Sequence, residues 1–208
     1  MAKPEGKIIT VGVTGASGAI YAQHALRLLD ADSRVACVYL VVSETGLRLI
    51  ATELGIVAQD SKKLPSLLTG TSAAKIEYLP NKDVGAAIAS GSAPVDGMVV
   101  IPCSAGAMGA IAAGTADDLL ARAADVCLKE RRPLVLCLRE TPLNRVHLEN
   151  LLHVHDAGAI VMPAIPAFYY GPKTIDDLVE QFVFRVLAQL SVPQEKQYHW
   201  KGGRAGQR

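Results

Sequence analysis

The residues in this chain that could do chemistry fall into three kinds: a charged pair delivered by an apolar run, cations able to hold an anion, and small residues that let backbone approach a ligand. The pair is Arg139 and Glu140 in "LVLCLRETP", where an apolar stretch ends in two charges and Pro142 follows. Charges at the carboxyl end of a buried strand lie over a site rather than on an outer surface. Arg139 there suits a phosphate or a carbonyl, and Glu140 suits proton transfer. A plain Arg–Glu ion pair would use the same two residues.

The small residues form two turns. "GVTGASGAI" places Gly12, Gly15 and Gly18 at every third position between a strand-like and a helix-like run. Its backbone N–H groups, with the Ser17 hydroxyl at a helix N-terminus, suit one phosphate; a tight turn capped by Ser17 is the structural alternative. "CSAGAMGAIAAG", residues 103–114, repeats the pattern. Ser104 can cap that helix, and the short side chains at Ala105, Gly106 and Ala107 leave room for a flat ring against the backbone, although a close helix–sheet contact also favours small residues. "TGASG" occurs in short-chain dehydrogenases too, but their Tyr-x-x-x-Lys pair is missing: Tyr170 and Lys173 are spaced Tyr-x-x-Lys.

The cations come next. In "ADDLLARAADVCLKERRP", Arg122 and Lys129 are seven apart and share a helical face. Asp118–Arg122 and Asp125–Lys129 form i,i+4 pairs. This is either a salt-bridged surface or a cationic rim for a phosphate ester. Arg185 shares a face with Leu178 and Phe182, so it interrupts an apolar stripe and needs an anionic partner, internal or bound. His147, His153 and His155 lack the i,i+4 spacing of helical metal ligands and read as surface or capping residues. Glu53 in "IATELG" reads as an ordinary helical carboxylate. Cys37, Cys103, Cys127 and Cys137 form no CxxC pair, which indicates free thiols in a reducing compartment and no metal site.

The elements that must position these groups alternate. Strands are expected at 8–13, 35–42, 98–102, 134–138 and 160–162, with a weaker one at 75–79. Helices follow Gly18, Ser43, Ser104 and Pro142, a last one starts near Thr174, and a short one lies around 60–68. Strands this apolar, separated by helices, indicate an α/β fold: a doubly wound parallel sheet in a three-layer, Rossmann- or flavodoxin-like sandwich. Ligands in such sheets bind at the carboxyl ends of the strands. The chain of 208 residues suits one domain over 1–192, followed by a tail, 193–208, whose glycine-rich end would need a partner to become ordered. A net charge of +1 offers no basic face for nucleic acid. The most apolar stretch is broken by Pro102 and too short to cross a membrane. "MAKPEGK" runs straight into a strand without a signal peptide, which indicates a cytoplasmic protein.

Taken together, "VTGASGA", "PCSAGAMGAIAAG", "LLARAADVCLKERRPLVLCLRETPLNRVHLENLL", "GAIVMPAIPAFYY" and "TIDDLVEQFVFRVL" resemble the flavin prenyltransferase (UbiX-type) family of flavodoxin-like flavoproteins, in order and over nearly the whole chain. The resemblance implies a metal-independent transferase that binds reduced FMN and dimethylallyl phosphate, or the diphosphate. It attaches the prenyl unit to N5 and C6 of the flavin. Prenylated FMN then serves a UbiD-type decarboxylase, and the family forms homododecamers with sites shared between subunits. By position, Gly15, Ala16, Ser17 and Ser43 would hold the flavin, with Ser104, Ala105, Gly106, Ala107 and Arg139. Lys129, Tyr169 and Arg185 would grip the prenyl phosphate beside Glu140. Ser17 and Glu53 would handle protons near the flavin ring, and Arg122 would line the entrance from a neighbouring subunit. Many relatives have a hydroxyl where this chain has Ala107, some have an aromatic residue near Val84, and Trp200 would help close the site. Two alternatives share the fold or the ligand. An FMN-dependent cysteine decarboxylase needs an early catalytic His, for which His24 is the candidate. A non-catalytic FMN carrier would have no use for Lys129, Glu140 and Arg185.

Overall fold

The structure, a computed structural model, describes residues 5–200. Six strands, β1 (Lys7–Val13), β2 (Val35–Val42), β3 (Ile76–Pro80), β4 (Gly97–Cys103), β5 (Leu134–Leu138) and β6 (Ile160–Val161), form one parallel sheet in the order β3-β2-β1-β4-β5-β6. The direction of winding reverses between β1 and β4, where Val11 pairs with Leu40 on one side and Val99 on the other. This is the doubly wound class expected, in the six-strand Rossmann order. The weak strand at 75–79 is real and forms one edge.

Among the described residues, seven α-helices cover both faces: α1 (Ala19–Ala31), α2 (Glu44–Leu54), α3 (Leu64–Thr69), α4 (Ala105–Ala112), α5 (Leu119–Lys129), α6 (Arg145–Asp156) and α7 (Ile175–Gln189). Ile9, Val11 and Val13 point into a layer with Leu26 and Leu29 of α1 and Val183 and Leu187 of α7. Ile8, Met98 and Val100 point the other way, against Leu119 and Ala123 of α5 and Val154 of α6. Because side chains alternate along a strand, covering both faces makes each strand a continuous apolar run. Leu26 and Leu29 are fully buried, where truncation to Ala costs about 2–5 kcal/mol.

Hydroxyl and carboxylate caps fix where the helices start. Ser43 Oγ accepts from Gly46 N at 3.0 Å, Ser104 Oγ from Ala107 N at 3.2 Å, and Asp118 Oδ1 from Ala121 N at 2.8 Å. α2, α4 and α5 thus present their N-termini at the carboxyl end of the sheet. His147 closes a capping box with Asn144 at the start of α6, a capping role as expected.

The segment 193–200 is held by its own chain rather than waiting for a partner. Gln181 accepts from Tyr198 N at 2.8 Å and donates to Lys196 O at 3.0 Å, and Gln194 donates to Asp32 Oδ2 at 3.1 Å. The rest of the expected tail, 201–208, lies outside the described residues. Among the described residues no helix is long and apolar enough to cross a membrane, and no cluster of metal-ligating side chains occurs. All four cysteines are free thiols. Burial pushes Cys103 and Cys127 up to about 12, which makes them inert.

Candidate functional site

The site is organised by Thr14, at the end of β1. Its hydroxyl donates to Pro102 O at 2.9 Å and accepts from Ser104 N at 2.7 Å, and its own N–H reaches Pro102 O at 3.2 Å. Thr14 is 3% exposed. It therefore pins the first small-residue turn to the second, side by side at the switch point. The sequence reading passed over Thr14, because a threonine after a strand carries no distinguishing signal.

A cavity of about 330 Å³ opens against this pair of turns, between Thr14, Ser43, Thr45, Ser104, Gly106 and Ala107. A Cβ on Gly106 would meet nothing within 4 Å. The start of α4 thus has an open face at Gly106, on the wall of this cavity. Gly15 is fixed by close approach, since a Cβ there would collide with the Thr45 side chain. Asp118, on the cavity wall, takes Asn81 Nδ2 at 2.9 Å and belongs to the cap of α5. A larger hollow of about 540 Å³ lies beside Asp32, Arg34 and Phe184, at the amino end of the sheet and away from every loop that follows a strand.

The start of α1 departs from expectation. Ser17 is not its cap: the cap position is Gly18, at φ 114° and with no side-chain bond of its own. The cap comes from Glu53 on α2, whose Oε2 accepts from Gly18 N at 2.9 Å and from Ala19 N at 2.8 Å. Those amides are committed to a carboxylate, so a phosphate must find its donors elsewhere. Glu53 is thereby no ordinary helical carboxylate. Partial burial raises its pKa. Hydrogen bonds from the Ser17 hydroxyl and the Gly18 and Ala19 amides, with the Arg139 charge nearby, outweigh that and hold it below the usual range. No sequence spacing links position 53 to position 17; only the packing of α2 beside the first turn does.

Arg139 continues the β4–β5 pairing through its N–H to Cys103 O at 3.0 Å, and its buried Nε has no hydrogen-bond partner. Glu140 accepts from Thr141 N at 3.1 Å. The plain Arg139–Glu140 ion pair does not form among the described residues. An orphaned guanidinium nitrogen beside the open face of α4 fits an absent anionic or carbonyl-bearing ligand.

The cations divide differently from the sequence reading. Arg122 pairs with Asp125 at 2.7 Å and donates from Nε to Ala89 O at 3.0 Å, and Lys129 pairs with Glu130. The expected Asp118–Arg122 and Asp125–Lys129 pairs are not formed. α5 runs antiparallel to the strands, so Lys129 lies just before β5 begins, at the amino end of the sheet. Glu140 and Tyr169 follow β5 and β6 at the opposite end. One chain therefore does not bring Lys129 to Tyr169, Arg185 or Glu140. Arg185 is exposed rather than buried in an apolar stripe, has no ion pair among the described residues, and shares a small cleft with Tyr169, Gln181 and Tyr198. Tyr169 itself packs edge-on against Trp200 at 6.1 Å and lies 5.5 Å from Tyr198. Val84 is half exposed in the loop after β3.

Fold and site together define a mononucleotide-binding α/β protein: a doubly wound sheet, two pinned small-residue turns, and a hydroxyl-lined cavity with a spare guanidinium beside it. The Flavoprotein family model matches residues 2–187. The chain is 42% identical to flavin prenyltransferase UbiX of Halalkalibacterium halodurans, covering 93% of each, and 41% identical to that of Pseudomonas aeruginosa, covering 92% of this chain and 93% of the other. Its fold superposes with a TM-score of 0.83 on AnUbiX, crystallised with FMN and dimethylallyl pyrophosphate, at 37% identity over 96% of this chain and 100% of that one. The same TM-score, 0.83, relates it to a dodecameric FMN-dependent UbiX-like decarboxylase from Escherichia coli O157:H7, at 39% identity over 94% of this chain and 100% of that one. The chain belongs to the flavoprotein family and, within it, to the UbiX-type flavin prenyltransferases.

Proposed function

We propose that this protein transfers a dimethylallyl group from dimethylallyl phosphate or diphosphate to N5 and C6 of reduced FMN, and releases prenylated FMN to a UbiD-type decarboxylase. The observation that carries the reading is the polar line along the carboxyl edge of the sheet. Hydroxyls at Ser43 and Ser104 come first, then the open face at Gly106, then the unpartnered Arg139 Nε and Glu140. A relative 37% identical was solved with both ligands.

Gly15, Ala16, Ser17, Ser43, residues 104–107 and Arg139 hold the flavin. The Ser17–Glu53 pair holds a proton beside the ring, with the carboxylate kept ionised by its amide donors. Tyr169 and Arg185, with Glu140 beside them, receive the leaving phosphate, whose growing charge needs fixed donors. Lys129 and Arg122 reach that phosphate from a neighbouring subunit of a dodecamer, which also excludes water from the allylic carbon. Ala107 leaves its flavin contact to backbone. Four free thiols suit a reducing cytoplasm. The decarboxylase reading is not favoured, because His24 lies within α1, 3.3 Å from Asp176 of α7 and outside the cavity.

The test is to incubate the protein with reduced FMN and dimethylallyl phosphate without oxygen and weigh the bound flavin. A gain of one prenyl unit supports the transferase. Unchanged FMN would refute it in favour of a carrier or a decarboxylase.

A further inference from the structure

We propose that Gly91, anchored by Arg132, is a positioning residue for Lys129: by carrying no side chain it gives the Lys129 ammonium the seat from which it reaches the leaving phosphate in a neighbouring subunit. This rests on the transfer reading above and adds two residues that the expected site set omits.

The first argument is steric. Lys129 is the last residue of α5 and Glu130 its C-cap, and their side chains pair across Gly91. The three atoms that a Cβ on Gly91 would meet first are Glu130 Oε1, Lys129 Nζ and Glu130 Cδ, all at side-chain ends. The backbone at Gly91 does not itself demand glycine, since its φ is not positive. What the position requires is empty space for an ammonium and its carboxylate.

The second is anchorage. α5 holds the segment on both sides of the seat: Arg122 Nε donates to Ala89 O at 3.0 Å, and Arg132 Nη2 donates to Gly91 O at 2.6 Å. The way α5 ends brings Arg132 there. Arg131 takes the left-handed conformation at φ 56°, and Arg132 N returns to Cys127 O at 2.8 Å. Nη1 of the same guanidinium is buried without a hydrogen-bond partner. The bond to Gly91 O is thus the one hydrogen bond that the Arg132 side chain makes among the described residues.

The third is charge and exposure. The Lys129 side chain is 43% exposed while it is held, so it is offered outward from its own subunit. Glu130 stays ionised: the hydrogen bond from Lys129 and its charge, with the Arg132 charge adding to them, hold its carboxyl below the usual range. One carboxylate between two cations keeps the lysine laid over the loop and leaves a net positive charge for a phosphate. Holding a long flexible side chain in place beforehand lowers the cost of binding.

The experiment titrates dimethylallyl phosphate by calorimetry into the assembled protein loaded with oxidised FMN, which the transfer does not use, so binding is read without turnover. It compares the wild type, Gly91→Ala, Lys129→Ala and the double variant, with a thermal melt of each. Gly91→Ala displaces only flexible side-chain ends, so its Tm should match or exceed that of the wild type. Its Kd for dimethylallyl phosphate should rise about tenfold, its FMN Kd should not change, and the same alanine should cost nothing further once Lys129 is gone. Arg132→Met, which releases the segment, should show the same pattern where it folds. An equal loss from Gly91→Ala in the Lys129→Ala background would make Gly91 a brace of the fold and overturn the proposal, as would no loss from Gly91→Ala alone. Full dimethylallyl phosphate affinity in Lys129→Ala would remove Lys129 from the site, and this proposal with it. A wild type that bound FMN and ignored dimethylallyl phosphate would overturn the transfer reading itself.

Discussion

The Glu53 carboxylate lies 2.8 Å from the Ala19 amide, 34 residues away in sequence, and this contact, with the bond from Gly18 N, ties α2 to the first turn of α1. Glu53 does for α1 what an N-cap side chain normally does from within the helix. In doing so it faces the Ser17 hydroxyl and the Arg139 charge.

Replacing Glu53 by Gln removes a charged acceptor and aims an amide NH₂ at backbone donors. Loss of such a cap costs about 1 kcal/mol, or about 2–4 °C in Tm for a chain of this size. Because Glu53 has a lowered pKa, its contribution is complete above the ordinary carboxylate pKa and fades as pH falls through the lowered one. The Tm gap between wild type and Glu53→Gln should therefore be full at neutral pH and close in acid. Thermal melts across that range measure it, and a gap independent of pH would show that the charge is not what caps α1.

Thr14→Val should loosen the two turns together. It strands the Ser104 N–H, whose partner is Thr14 Oγ1 at 2.7 Å. An unsatisfied buried donor costs about 1–3 kcal/mol. Urea unfolding reads the loss. Thr14→Ser, which keeps the hydroxyl, should recover most of it. Equal loss in both variants would assign the effect to packing of the methyl group.

Most of the fold was legible because each strand is buried on both faces and stands out as an apolar run: 35–42 and 134–138 fall where expected. The cap residue Ser104 was legible for a local reason, a hydroxyl at a helix start, but the same cue misled at Ser17, where Gly18 holds the cap position. The roles of Thr14 and Glu53 were not, because they arise from loops that meet only after the sheet winds in both directions. The Arg122 and Lys129 pairings misread because helical spacing offers several partners, and Asp118 prefers to cap α5. Arg185 misread because the apolar stripe of α7 is bounded, and the guanidinium falls just outside it.

Asp32 gives an acid-stability prediction far from the site. Its hydrogen bond from the Arg34 side chain outweighs burial and, with the Arg34 amide and Gln194, holds its pKa at about 2 rather than 3.8. The lowered value means that its stabilisation is present above 3.8 and is lost as pH falls toward 2. Asp32→Asn should lower Tm near neutral pH, converge with the wild type toward pH 2, and free the segment that Gln194 anchors. Protease accessibility of residues 193–200 gives an independent readout. A variant that melts like the wild type at neutral pH would show that the Asp32–Arg34 pair is energetically neutral, as many exposed pairs are.

The separation of Lys129 from Arg185 within one chain yields the sharpest test of the shared site. Lys129→Ala and Arg185→Ala should each bind FMN normally, since neither residue lines the flavin cavity. Each should lose prenyl transfer by about 10²–10³-fold, the usual effect of removing one fixed donor from a developing charge. In an assembly built from both variants, some sites combine an intact Lys129 from one subunit with an intact Arg185 from the next. Random mixing makes about a quarter of the sites complete, since half the subunits supply each residue. Co-expressed variants should therefore regain about a quarter of wild-type turnover, whereas separately assembled variants mixed without exchange should regain none. If co-assembly restored nothing, Lys129 would act within its own chain or not at all, and the geometry of one protomer leaves it no route to Tyr169 or Arg185.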